Sequence, residues 1–376
     1  MADTEVATAG KEPSGTQPQA GNPVWELMVR NQSIVVPIVA LVLAFSIGAI
    51  LIRTQGVSPG YAYESLFRAA LGTPAGLLRT FQKTTPLILA GLAVSVAFRV
   101  GLFNIGAQGQ LLCGAMGAAW VGFALKDLPG VILLPLATVV GILLGAMWAS
   151  IAALLKTTRG VHEVISTIML NSIALGIMET LISYPFKERG QDIPRTPEVG
   201  AGAKLPEFGV VPSGFIVALI LALVLAWVLK RTTTGFKFDT VGKNKHAAGY
   251  AGIGIAATTL YAMALSGGLA GLAGVVETLG VVHRYESGFN TGLGFDGVTI
   301  ALLARANPMG TIPAAFLVGI LRSGAATLQF DTGIQPEIVD LLLAVTLLLV
   351  SIPIIARVIF RKRAASQAAL SSGWGA

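Results

Sequence analysis

The chain has 376 residues, 54% of them hydrophobic and only 12% charged, with a mean hydropathy of +0.74. That exceeds what a soluble core needs, and unbroken apolar blocks such as 34–52, 131–155 and 341–355 read as bilayer helices, not as the short alternating strands of a β-barrel. The net charge of +7 sits in clusters at the ends of these blocks, as cytoplasmic loops require, so nucleic acid is excluded as a partner. The single cysteine, Cys113, lies inside an apolar segment and excludes an intrachain disulfide framework.

In chain order, residues 1–23 are rich in Ala, Gly, Pro, Ser, Thr and Gln and too poor in apolar surface to offset the entropy of ordering. A disordered cytoplasmic tail is expected over 1–33, a membrane domain over 34–360 and a second tail over 361–376. The first apolar run is too long for a signal-peptide core and lacks a small-residue cleavage site, so it is expected to be retained, with no cleavable export signal. Spans are predicted near 34–52, 81–100, 104–124, 131–155, 161–183, 213–229, 255–280, 295–306, 312–330 and 337–358, about ten in all. Lys156 and Arg159, then Lys230, Arg231, Lys237, Lys243 and Lys245, then Arg357, Arg361, Lys362 and Arg363 fall on one side, which the positive-inside rule makes cytoplasmic. Both termini then lie inside, and 54–80 and 184–212 lie outside.

Two interruptions stand out. GLFNIGAQGQ (101–110) joins the second and third spans, and NPMG (307–310) breaks the short span at 295–306 from the next. Broken helices at membrane depth persist only where protein or water satisfies their freed backbone groups. Two breaks in corresponding positions point to two repeats of inverted topology, 81–183 and 255–358. The fold class is therefore all-α and polytopic, with re-entrant or broken helices. Small residues recur at every fourth position (Gly114, Ala118 and Gly122; Gly141, Gly145, Ala149 and Ala153; Gly267 and Gly271), a pattern for close packing within the subunit or, less readily, between subunits.

Polar groups fall within spans or at their ends: Arg99, Asn104, Gln108, Gln110, Glu163, Asn171, Glu179, Glu277, Asp296, Arg305 and Arg322. Glu163, Thr167 and Asn171 make a stripe at four-residue spacing that either lines a route for a polar solute or hydrogen-bonds helices together. Arg99, Glu163, Arg305 and Arg322 lie near span ends, where snorkelling or pairing accounts for them. No catalytic constellation is present. His162, His246 and His283 are scattered and lack metal-ligand spacing, no GxSxG elbow occurs, and Gly242-Lys243 lacks the first glycine and the Ser or Thr of a phosphate loop. No cofactor and no metal is expected, and the chain reads as a conduit, not a catalyst.

Between two apolar runs lies TVGKNKHAAGYAGI (240–253). Asn244 is a good N-cap, 245–251 is helix-compatible and Gly252 is a natural stop, so one or two helical turns are expected there. On physics alone this island is either a solvated linker or a docking element, whose small Ala247 and Ala248 would let another protein approach closely.

The stretch TTTGFKFDTVGKNKHAAGYAGI resembles the cytoplasmic coupling loop of the branched-chain-amino-acid/simple-sugar class of ABC importer permeases, whose pattern runs G-x-x-x-x-x-V-G-x-N-P-x-A-A-x-x-x-G-I. Gly235, Val241, Gly242, Asn244, Ala247, Ala248, Gly252 and Ile253 match, and Lys245 stands where proline is common. GLFNIGAQGQLLCGA (101–115), GVHEVISTIMLNSIA (160–174) and GFDGVTIALLARANPMGTIPAA (294–315) narrow the resemblance to nucleoside permeases that work with basic-membrane-protein-like lipoproteins. Departures are Gln108 for glutamate, His162 for asparagine, Thr299 and Ile300 for Ala-Val, and Ala304 for glycine.

The resemblance implies a bacterial inner-membrane importer. It would have ATPase subunits with duplicated nucleotide-binding domains, a second and different permease making a heterodimer, and an extracytoplasmic substrate-binding lipoprotein. Gly235, Gly242, Asn244, Lys245, His246, Ala247, Ala248 and Gly252 would form the ATPase-coupling loop, with Asn244 to Ala248 in direct contact. Asn104, Gln108, Gln110, Glu163 and Asn171 would line the translocation pathway. The alternatives are a ribose-type sugar permease of the same machinery, an ion-driven secondary carrier using Glu163, Glu179 or Glu277, and a structural subunit of a membrane complex.

Overall fold

In hydrocarbon a backbone N–H or C=O has no water to bond, so apolar sequence of sufficient length resolves into helices. The computed structural model describes residues 32–289 and 292–351. Within them the helices are α1 (Gln32–Thr54), α2 (Pro59–Leu71), α3 (Pro74–Arg99), α4 (Ala107–Ala124), α5 (Gly130–Arg159), α6 (Glu163–Ser183) and α7 (Ser213–Arg231). They continue with α8 (Thr233–Lys243), α9 (Lys245–Tyr250), α10 (Ile255–Glu277), α11 (Leu293–Leu303), α12 (Pro308–Thr332) and α13 (Glu337–Ser351). Among the described residues the only sheet is a two-residue hairpin, Glu207–Phe208 against Val211–Pro212. The expected tails at 1–33 and 361–376, and the basic cluster at 357–363, lie outside the described residues, apart from the start of α1 at Gln32.

Seven of these helices (α1, α3, α5, α6, α7, α10 and α12) are long and apolar enough to cross a membrane, fewer than the ten expected. The shortfall has local causes. At 11 residues α11 spans about 16 Å, half a hydrocarbon core. Helix α4 has 18 residues but opens on Gln108 and Gln110, and α13 is described over 15 residues only. Conversely α2 forms inside the stretch 54–80 that was expected to be an external loop, started by Ser58 and Pro59.

Helices α3 and α10 form the centre, each with 78% of its apolar window buried, whereas α5 has 22% buried and turns most of its surface outward. Helix α10 packs on α3, α4 and α5, and α3 packs on α10, α11 and α12. That set of pairings is preserved when α3 to α6 are exchanged for α10 to α13, including α4 on α6 and α11 on α13. Directions invert as well. Lys83 meets Glu277 and Ala93 meets Ser266, so α3 runs against its counterpart α10, while Gly145 meets Gly271 and Gly267 meets Ala149, so α5 also runs against α10. The inverted repeat is thus built into the packing.

These directions bring the start of α10, the end of α5 and the loop with α8 and α9 to one end of the bundle, here called the basic face. Lys156 and Arg159 therefore share an end with Lys230 to Lys245. The hairpin and the segment 184–212 occupy the opposite end.

The α5–α10 crossing is backbone on backbone. A β-carbon on Gly145 would lie 2.7 Å from Gly271 Cα, and one on Gly271 would lie 2.7 Å from the Gly141 carbonyl oxygen. No flexible side chain can yield there, so the small-residue stripes serve packing within the chain. Gly145→Val should force the two helices apart at a cost of about 3 kcal/mol or more and abolish a monodisperse peak in detergent chromatography. Gly176→Val, on α6 where a β-carbon meets nothing within 4 Å, should leave that peak unchanged.

Candidate functional site

After α7 the chain reverses without a long loop because the Thr232 side chain accepts a hydrogen bond from Gly235 N (3.4 Å) and caps α8. Gly235 must be small, since a β-carbon there would lie 2.6 Å from Leu229 Cα. Helix α8 is two-faced. Phe238 and Val241 are buried in the bundle, with the Phe238 ring 5.9 Å from that of Tyr261 on α10. Phe236, Lys237 and Lys243 point outward.

Asn244 then caps α9, its Oδ1 accepting from Ala247 N at 3.0 Å, so the helix starts at Lys245 without the proline that the related pattern carries. Gly252 takes a left-handed φ of +73°, which stops α9 and turns the chain into α10. Asn244, Lys245, His246 and Ala247 are exposed. Ala248 is not. It is 0% exposed, on the face of α9 that packs back on the chain, and its carbonyl accepts from Ile253 N at 2.9 Å. Its small side chain serves internal packing, which corrects its expected place in direct contact with a partner. Two exposed residues that sequence reasoning passed over, Phe236 (64%) and Tyr250 (95%), flank the polar stretch. Aromatic side chains standing in an otherwise polar loop were the available signal.

On the inner side α8 touches α3. Arg99, the last residue of α3, donates from Nη1 to both carboxylate oxygens of Asp239 (3.0 and 3.3 Å). Gly242 lies against the Arg99 carbonyl and Gly101, which itself has φ +71°.

The non-helical stretch from Val100 to Gly106 leads from that contact into the bundle. There Asn104 and Gln110 exchange two amide hydrogen bonds of 2.8 Å each, and Asn104 Nδ2 also donates to Ser266 Oγ on α10 (2.8 Å). Ser266 Oγ donates in turn to the Ala93 carbonyl of α3 (2.6 Å). Asn171 on α6 accepts from Gly109 N (2.8 Å) and donates to the Ile105 carbonyl (2.9 Å). Gln108 Oε1 accepts from Gly294 N at the start of α11 (2.8 Å).

These four amides therefore form one seam between α3, α4, α6, α10 and α11. Glu163 stands apart from it, in the first turn of α6, where its carboxylate accepts from Lys156 Nζ and ties α6 to the end of α5. Among the described residues no group of three or more His, Cys, Asp or Glu could hold a metal ion.

Comparison with known proteins gives the family of the chain. The family model described as "Branched-chain amino acid transport system / permease component" matches residues 76–351. The guanosine ABC transporter permease protein NupP of Bacillus subtilis is 37% identical over 86% of this chain and 95% of its own. The nucleoside ABC transporter permease protein NupB of Lactococcus lactis is 34% identical over 90% of this chain and 96% of its own. The glucose ABC transporter permease protein TsgB13 of Haloferax volcanii is 32% identical over 83% and 85%. A second guanosine or nucleoside permease of the first two organisms, NupQ and NupC, is 24% identical in each case, over 65% and 64% of this chain and 79% and 78% of their own.

Two variants separate docking from folding on α9. Ala248→Arg should lower the melting temperature of the purified permease, because a guanidinium would enter the α8–α9 packing, whereas Ala247→Arg should leave it unchanged and disturb only what docks on the exposed face. Equal melting curves for both would show that Ala248 is not packed as described. In the seam, Asn171→Ala leaves Gly109 N and the Ile105 carbonyl without partners and should cost about 1–3 kcal/mol, read as a lower melting temperature in detergent.

Proposed function

The chain belongs to the permease-component family of branched-chain amino acid transport systems, and from that premise we propose that it passes nucleosides across the bacterial inner membrane. As an ABC importer permease it is a multi-pass membrane subunit and not an enzyme, and ATP is hydrolysed by a partner ATPase. The observation that carries the substrate class is the match, over most of the chain, to two relatives described as guanosine and nucleoside permeases. The amide seam suits that class, because amides offer donors and acceptors to ring nitrogens and sugar hydroxyls without a buried charge. Since Asn104 and Gln110 bond each other and Asn171 bonds the backbone of Gly109 and Ile105, they contact solute only when the seam opens.

The same reading puts the basic face, with both termini, in the cytoplasm, supported by the positive-inside rule. The α8–α9 loop is then the ATPase-coupling element, through Asn244, Lys245, His246 and Ala247, with Phe236 and Tyr250 as apolar anchors. Gly235, Gly242, Ala248 and Gly252 shape the loop from within. The unequal match to both permeases of each pair, 37% against 24% and 34% against 24%, supports a heterodimer with this chain as one partner. An extracytoplasmic binding lipoprotein would deliver the solute and set specificity.

A glucose-type substrate is the second reading, favoured by the 32% identity to the glucose permease. Uptake in proteoliposomes holding the permease pair, the ATPase and the binding protein distinguishes them. Guanosine should enter at the expense of ATP, stop with a hydrolysis-dead ATPase and persist with a protonophore. Uptake of glucose or ribose but of no nucleoside would overturn the substrate class. The isolated permease should bind guanosine weaker than about 1 mM, since a tight site would hinder release.

A further inference from the structure

Within the coupling reading of the α8–α9 loop, on which this rests, the structure leaves open how motion at an exposed loop reaches the interior. We propose that Arg99 and Asp239, with the backbone contact of Gly101 and Gly242, are the junction that transmits it. Both are positioning residues for transport.

Four observations carry the assignment. First, Arg99 closes α3, one of the two central helices, and its guanidinium bonds both oxygens of Asp239 on the inner side of α8. The side chains are 27% and 31% exposed, so water screens the pair less than a surface pair. Second, a β-carbon on Gly242 would lie 3.0 Å from the Arg99 carbonyl carbon and 3.2 Å from Gly101 N, so the two backbones touch with no side chain between them. Third, the other side chains that α8 buries in the bundle are apolar. Phe238 and Val241 resist separation but permit sliding, whereas a charge-assisted pair fixes the register of α8 along α3. Fourth, three residues beyond Gly101 stands Asn104, bonded to Gln110 and Ser266, and the next residue's carbonyl is held by Asn171. A displacement of α8 is thus conveyed through α3 and the stretch 100–106 to α4, α6 and α10. Without the ion pair α8 slides over its apolar contacts and the displacement stops at the surface.

The test uses the full assembly in proteoliposomes, comparing solute moved per ATP hydrolysed. Arg99→Ala and Asp239→Ala should each assemble with the ATPase and hydrolyse ATP, while the transport-to-hydrolysis ratio falls by about tenfold, within the span of known coupling free energies. The swapped pair, Arg99→Asp with Asp239→Arg, should restore much of that ratio, which a merely space-filling role would not. Arg99→Gln, which keeps an N–H donor on a long side chain but loses the charge, should give a reduced ratio and covers the case in which an alanine variant fails to fold.

An unchanged ratio in Arg99→Ala, or in Arg99→Gln where the alanine variant does not assemble, overturns the proposal. So does a loss that the swap leaves uncorrected. The coupling reading is checked separately by cross-linking the Lys245→Cys variant to the ATPase in a Cys113→Ala background. No cross-link in any nucleotide state sinks that reading, whereas an intact cross-link with an unchanged ratio sinks the transmission alone.

Discussion

Seven residues of non-helical chain, Val100 to Gly106, enter the bundle between α3 and α4, and each peptide group there must find a partner inside the protein. The end of α3 answers for the first three N–H groups, with Val100 and Leu102 donating to the Ala97 carbonyl and Gly101 to that of Phe98. The Ile105 carbonyl is held by a side-chain amide, and the Gly106 carbonyl accepts from Gln110 N. Asn171 reaches across from α6 to bond the peptide on both sides of the start of α4, and the Asn104–Gln110 pair closes the turn on itself. Much of the central packing depends on this arrangement. With the break satisfied, α4 can begin inside the bundle, lie against α10 and α5, and receive the start of α11 on Gln108.

Charge is handled by the same economy. Glu277 on α10 is fully buried and meets Lys83 of α3 at 3.2 Å. Arg322 on α12 holds Asp296 of α11 through two bonds and Asp340 of α13 through a third, so one guanidinium gathers three helices of the second repeat. Arg99 and Asp239 join α3 to α8, and Lys156 and Glu163 join α5 to α6. Each pair links different helices, and removing Lys83 would strand the fully buried Glu277 charge at the cost that low-dielectric surroundings impose. Ion pairs at helix ends and amides at the break therefore divide the polar work, while glycine contacts bring the backbones together between them.

For transport this division has a mechanical meaning. A bundle of only apolar contacts would slide, and one of only ion pairs would resist rearrangement. Here the outer loop is keyed to α3 by a charge and by backbone contact, and the inner seam consists of neutral amides that can exchange partners without exposing a net charge. A seam of that kind suits a conduit that must release what it admits.

Much of this is legible in the sequence alone. Membrane helices, the breaks read at 101–110 and 307–310 and found at 100–106 and 304–307, the cap at Asn244 and the stop at Gly252 depend on residues near one another in the chain, and the sequence determined that they occur. Its motifs also identified the family, since Gly235, Gly242 and Asn244 answer to local geometry. Tertiary structure alone decided which helices are central, that Ala248 faces inward, that Asn104 pairs with Gln110 and Ser266, and that Asp239 meets Arg99. The physical reason is the composition of the spans. Helices α4 and α10 are apolar and small on nearly every side, so beyond the small-residue stripes no hydrophobic periodicity marks an inner face. The orientation of each is chosen by contacts with residues far along the chain, as between Asn104 and Ser266, and those contacts exist only once the helices have packed.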